Sequence, residues 1–194
     1  MSAFLANVEA GRVIIRPLVE TDLEDCHRLR IDIGWADETL SDGEKRGLKR
    51  TWLDWTVAGY REFARLRQPQ YGERAIVRKA DGAFLGLIGM APCLAPFGQL
   101  PSGGGAEGAP ATPEVGLFWA LSPVAQGQGY ASEAARAFTR DLFQTRRLAR
   151  IIATTDHDNP RSIAVMRRIG MRIETNPYPV PVYLQVVGIL DAPA

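Results

Sequence analysis

Between Glu114 and Leu142 an apolar strand stops at a proline, passes a glycine-rich turn and runs directly into an amphipathic helix. A strand feeding a helix in this way belongs to a layered α/β architecture. Glu114-Val-Gly-Leu-Phe-Trp-Ala-Leu121 is apolar enough for a central strand and is halted by Ser122-Pro123, whereas Tyr130, Ala134, Ala137, Phe138 and Leu142 make one helical stripe. In the turn, Gln126-Gly-Gln-Gly-Tyr-Ala131, the glycines let the backbone approach a ligand closely. The helix start adds unpaired N–H groups and the positive end of a dipole, a nest that suits the pyrophosphate of a nucleotide-like cofactor. A glycine-rich turn before a helix is also common without any ligand, so spacing alone leaves both readings open. Two other phosphate motifs do not fit. A P-loop needs Gly-Lys-Ser/Thr, and Gly129 is followed by Tyr130-Ala131; a dinucleotide fingerprint needs a third glycine that is absent here.

The rest of the chain supports a mixed sheet flanked by helices. Arg12 to Leu18 is a β-branched run stopped at Pro17, and Thr21-Asp-Leu-Glu24 has the pattern of a capping box opening a helix. Leu48, Trp52, Trp55, Gly59, Phe63 and Leu66 recur at helical spacing and predict a second helix with that stripe buried, after a polar stretch interrupted by Gly43. Ala75 to Lys79 and Ala83 to Met90 read as a hairpin on an Asp81-Gly82 turn. Pro92 to Pro113 carries Pro96, Pro101 and Pro110 with Gly103-Gly104-Gly105 and has almost no periodicity. It reads as a surface insertion or a functional lid, so that trimming Ser102 to Gly108 would leave stability nearly untouched. Ile151 to Thr155 is a strand, Asn159-Pro160 caps a short helix closed by Gly170, and Met171 to Glu174 and Val182 to Gly188 are the last strands, separated by a Pro-broken link. One domain spanning residues 1–194 is expected from this length, with 92–113 as a loop inserted in it.

Charge and composition narrow the class further. Lys and Arg number 23 against 22 Asp and Glu, a formal net charge of +1, which argues against a dedicated nucleic-acid binder. No apolar run reaches the roughly 20 residues needed to cross a bilayer, and the first residues lack a signal-peptide pattern, so a cytoplasmic protein without a membrane partner is expected. Two cysteines and two histidines suggest neither a disulfide framework nor a metal site.

Taken together, Gln126-Gly-Gln-Gly-Tyr-Ala131, Arg16-Pro17-Leu18 with Thr21-Asp22-Leu23, Gly86-Leu-Ile-Gly89, Glu114-Val-Gly116, Asn159-x-x-Ser162 and Arg168-Ile-Gly-Met171 resemble the GCN5-related N-acetyltransferases (GNAT). The resemblance is closest to the branch of ribosomal-protein alanine acetyltransferases. It implies an α/β (α+β) fold with one mixed, mostly antiparallel sheet flanked by helices, and acetyl-CoA as acyl donor. The backbone of Gln126, Gly127, Gln128, Gly129, Tyr130 and Ala131 would then hold the pyrophosphate. Trp119, Ala120 and Leu121 would pair with the pantetheine arm, and Asn159 would touch the cofactor. For Asn159 a plain helix cap is an equal and compatible reading.

Acyl transfer to an amine requires the ammonium to lose a proton. Glu114 resembles the Glu that several family members use through a water, although a strand-end carboxylate in solvent has the same sequence signature. A backbone N–H near Leu121 would meet the oxyanion. Many relatives carry a Tyr seven residues after the Asn to protonate the thiolate; here that position is Met166, which leaves Ser162 as a substitute acid. Trp52 and Trp55 read as core residues rather than acceptor walls, and His157 as a surface residue. The resulting expectation is an N-acetyltransferase acting on a small-molecule amine or a protein N-terminus, as monomer or homodimer. A catalytically weak acyl-CoA-binding sensor or interaction module is the alternative.

Overall fold

The alternation of Val13-Ile-Ile15 places Val13 and Ile15 at 0% exposure while Ile14 stays partly open, as a half-buried strand requires. In the computed structural model, which describes residues 6–69 and 71–193, this is β2 (Val13–Pro17). It pairs antiparallel with β1 (Val8–Glu9) and with β3 (Gly72–Arg78), in a register that sets Ile15 against Ile76. The remaining strands are β4 (Phe84–Ala95), β5 (Thr112–Leu121), β6 (Arg150–Thr155), β7 (Arg172–Thr175) and β8 (Val186–Asp191). The sheet is eight-stranded, in the order β1-β2-β3-β4-β5-β6-β8-β7. β5 meets β6 in parallel at Gly116 and Ile152, and β8 is antiparallel to both β6 and β7. With helices α1 (Leu23–Asp32), α2 (Asp42–Arg65), α3 (Tyr130–Arg146) and α4 (Pro160–Arg168), this is the mixed fold expected from the sequence. Among the described residues no helix is long and apolar enough to cross a membrane.

The chain forms two compact units. One comprises the chain up to Gly89 together with Trp119–Ala137; the other comprises Met90–Phe118 together with Phe138 onward. In the first unit Leu18, Leu23, Cys26, Leu29, Leu53, Ala75 and Leu87 make a core cluster. Beside it the Arg16 guanidinium forms two 2.7 Å bonds to Asp22, which is 4% exposed and also accepts from the Val19 amide. This use of Asp22 displaces the expected Thr21–Glu24 capping box. Residues Glu20–Asp22 form a 3-10 turn, α1 starts one residue later, and the Glu24 carboxylate binds Arg46 instead. The Asp81-Gly82 turn forms as expected, with Gly82 at φ +74° and the Arg78 guanidinium on the Asp81 carboxylate.

Helix α2 differs from its sequence pattern in two ways. It is capped by Ser41, whose hydroxyl accepts from the Glu44 amide while the Glu44 carboxylate returns to the Ser41 amide, so Gly43 lies inside the helix. Its buried face is Lys49, Leu53, Thr56 and Tyr60, one position off the apolar stripe. Leu48, Trp55 and Leu66 are 62%, 62% and 57% exposed, and of the two tryptophans only Trp52 joins the core cluster. Tyr60 is held because its hydroxyl accepts from the Leu18 amide and donates to the Glu73 carbonyl.

The second unit corrects the reading of Pro92 to Pro113. Pro92 lies within β4 and Pro113 within β5, so neither proline breaks its strand. Between them Ala95, Phe97 and Leu100 are buried with Ile152, Leu184, Val187 and Ile189. Gln99 is buried on Asn176, the Ser102 amide donates to Glu174, and the Tyr178 hydroxyl donates to the Gly105 carbonyl. Apolar burial and these bonds order a segment that lacks periodicity. The last strand also starts later than its apolar run implied, at Val186: the Leu184 amide turns back onto the Pro181 carbonyl, and the Gln185 side chain accepts from the His157 amide.

Candidate functional site

The turn between β5 and α3 is built by its own glutamines. The Gln126 side-chain amide donates to the Leu121 carbonyl at 2.9 Å, and that of Gln128 donates to the Val124 carbonyl at 2.7 Å. A 3-10 turn at Pro123–Ala125 engages the amides of Ala125 and Gln126. Gly127 (φ +74°) and Gly129 (φ +83°) then take left-handed conformations that L side chains rarely adopt. The first helical bond of α3 runs from the Glu133 amide to the Gly129 carbonyl at 3.0 Å. Among the described residues, the amides from Gly127 to Ser132 have no backbone acceptor. The Ser132 hydroxyl is likewise buried without a partner.

A run of unengaged donors at a helix start is a site for an anion, because backbone N–H groups and the helix dipole act in the same direction. Among the described residues no carboxylate closes it from within; Glu133, the acidic residue of the first turn, is turned to Arg12. The residues therefore fit a pyrophosphate. Trp119, Ala120 and Leu121 lead into this turn at the end of β5. There the backbones of β4 and β5 come so close that a Cβ on Gly86 would lie 2.1 Å from the Ala120 carbonyl oxygen.

One part of this region had no local sequence signal. The Arg12 guanidinium donates to Glu133 at 2.7 Å and to the Gln128 carbonyl at 3.1 Å, and it lies 4.4 Å over the Tyr130 ring. The Arg12 amide also donates to Glu133. Burial pushes the Glu133 carboxyl up, but the bonds from Arg12 outweigh it and leave it below its ordinary value. Arg12 had read only as the first residue of a strand; its partners lie more than a hundred residues on.

The other sequence candidates lie in the second unit. Glu114, near the start of β5, is partly buried, and its carboxylate lies 3.3 Å from the Arg150 guanidinium, which is shared with Asp191 at 3.1 Å. Burial and then the Glu114 charge push the Cys93 thiol up. Asn159 caps α4: its side-chain oxygen accepts from the Ser162 amide at 3.1 Å, which brings these two candidates together. Met166 is fully buried and lies against Gly188, so it is a core residue.

Comparison with known proteins gives the class of protein to which this mixed sheet belongs. Residues 12–172 match the model of the Acetyltransferase (GNAT) domain. A curated relative, the uncharacterized N-acetyltransferase YnaD of Bacillus subtilis (strain 168), is 48% identical over 63 residues. That match covers 32% of this chain and 36% of the relative's length. Mycobacterium smegmatis RimJ in complex with CoA-disulfide superposes with a TM-score of 0.66 at 19% identity, covering 97% of this chain and 88% of that one. Ribosomal-protein-S5-alanine acetyltransferase from Vibrio fischeri gives 0.65 at 13% identity, covering 96% and 97%. The chain belongs to the GNAT family, a class of acyl-CoA-dependent N-acetyltransferases whose donor is acetyl-CoA.

Proposed function

We propose that the protein transfers the acetyl group of acetyl-CoA to a primary amine, either a protein N-terminus or a small amine. The observation that carries this reading is the run of unengaged amides from Gly127 to Ser132 behind two left-handed glycines. In this proposal Gly127 to Ala131 bind the pyrophosphate through their backbone, while Gln126, whose amide is taken by the Pro123 carbonyl, shapes the turn rather than binding as its sequence position implied; Trp119, Ala120 and Leu121 pair with the pantetheine arm. Arg12 and Glu133 keep the loop in shape. Glu114 takes the acceptor's proton through a water, and Arg150 beside it steadies the carboxylate. The Asn159 side-chain oxygen is engaged by Ser162, which leaves its NH2 group to donate to the cofactor. Ser162 serves the departing thiolate, which is itself a fair leaving group.

Acceptor choice follows the V. fischeri S5-alanine enzyme by fold analogy alone. A second reading, a catalytically weak acyl-CoA-binding module, is favoured by Met166 being buried where many relatives carry a Tyr. Incubation with acetyl-CoA and a panel of small amines and N-terminal peptides, followed by thiol release, separates the two. Acceptor-dependent release supports the enzyme; tight acetyl-CoA binding with no release for any acceptor supports the module.

A further inference from the structure

Away from the cofactor loop, the first unit contains a cavity of about 200 Å³ between α1 and α2, lined by Arg30, Leu40, Lys45, Leu48, Lys49 and Trp52 among others. Lys49 is the unusual member. It is 6% exposed, its ammonium lies 3.7 Å from the centroid of the Trp52 ring, and among the described residues no carboxylate lies within ion-pair distance of it. Burying an ammonium with no carboxylate in contact is unfavourable, and one aromatic face together with the Glu73 charge beyond ion-pair distance offsets only part of that. Burial, followed by the neighbouring Arg30 charge, pulls its pKa below the ordinary lysine value.

Among the residues lining the cavity, cations outnumber carboxylates. Arg30 and Lys45 add two more cations to the lining, and the carboxylates that feel their charge are Glu73 and Asp37 respectively. His27 is held by Asp42 at 2.9 Å, and the lining carboxylate, Asp37, accepts from the Thr39 amide and hydroxyl. The rest of the lining is apolar, and Leu48 is 62% exposed at its rim. A cavity with a cationic floor and apolar walls complements a small molecule that has an anionic head and an apolar body.

We infer that the α1–α2 cavity is a binding site for a small organic carboxylate, with Lys49 and Arg30 on the carboxylate and Trp52, Leu40 and Leu48 around its apolar part. The site is independent of the acetyl-CoA reading, since every residue it uses lies outside the cofactor loop. The test uses the full chain and 4-methylpentanoate as probe, with 4-methylpentanamide and inorganic phosphate as controls, followed by thermal shift and calorimetry. Saturable binding of the carboxylate is expected, with the amide and phosphate at least tenfold weaker, and Lys49→Met weakening the carboxylate at least tenfold. The thermal shift given by acetyl-CoA checks that the variant is folded. Should Lys49→Met fail to fold, Arg30→Gln at the exposed rim is expected to lose binding severalfold. No saturable binding to the wild-type chain, equal binding of the amide or phosphate, or undiminished binding to the folded variant would each overturn the inference.

Discussion

Two glycine-rich segments of this protein look alike in sequence and do opposite things with their backbones. In Leu100 to Ala109 the amides turn inward: Gly103 and Gly105 donate to Leu100, Ala106 to Gly98, and Ala109 to Ala106. In Gly127 to Ser132 no amide has a backbone acceptor among the described residues. Both segments carry left-handed glycines, Gly104 and Gly105 in one, Gly127 and Gly129 in the other. Glycine content therefore does not separate a loop packed on itself from one whose amides stay open. The destination of the N–H groups does, because a donor left open at a helix start needs a partner from outside the fold.

The largest effects fall on the packed segment. A Cβ on Gly103 would lie 2.3 Å from the Phe97 carbonyl oxygen, so Gly103→Val should cost about 3 kcal/mol or more in urea denaturation. Deleting Ser102 to Gly108 removes the bonds to Glu174 and Tyr178 and should lower Tm clearly, against the expectation from sequence of a nearly neutral trim. An unchanged Tm would restore the picture of a loose insertion and break the comparison.

Glu114→Gln keeps shape and removes the proposed proton acceptor. Turnover should fall by ~10²-fold or more at neutral pH while acetyl-CoA binding persists, and the loss should shrink as pH rises and more acceptor is already neutral. Rates equal to wild type across pH would leave Glu114 as a structural partner of Arg150. Gly129→Val sharpens the contrast with Gly103. Space at Gly129 is open except for Arg12, so the left-handed strain should cost only about 1–2 kcal/mol. Yet the stabilisation by acetyl-CoA, about 2.7 kcal/mol at a hundredfold excess over Kd, should vanish.

The smallest effect expected is that of Glu133→Gln, about 1 kcal/mol or less, because Arg12 is half exposed. Its pH dependence has a definite sign. The folded Glu133 carboxyl lies below its unfolded value, so its contribution is complete above the unfolded pKa of about 4.3 and is lost as pH falls through the folded one. A variant whose stability deficit grows toward acid pH, rather than shrinking, contradicts the Arg12–Glu133 link.

What could be read in the sequence was local. The Asp81-Gly82 turn, the Asn159 cap, the left-handed Gly170 and the strand–turn–helix at Leu121 to Tyr130 each depend on residues a few positions apart. Helix α2 was misread because periodicity counts apolar residues and cannot tell that Lys49, lying against Trp52, and Tyr60, bonded at its hydroxyl, would be the ones buried. The Phe97–Gly105 segment and the Arg12–Glu133 pair rest on partners distant in the chain, to which no local pattern refers.

The central claim is that the amides from Gly127 to Ser132 await an anion supplied by acetyl-CoA. Titrating ¹⁵N-labelled protein with acetyl-CoA and following backbone amide resonances tests it directly. Gly127, Gln128, Gly129, Tyr130, Ala131 and Ser132 should show the largest shifts, saturating together, while Gly103, Gly104 and Gly105 stay in place. Saturable binding that leaves Gly127 to Ser132 unmoved, or no binding at all, would contradict the account.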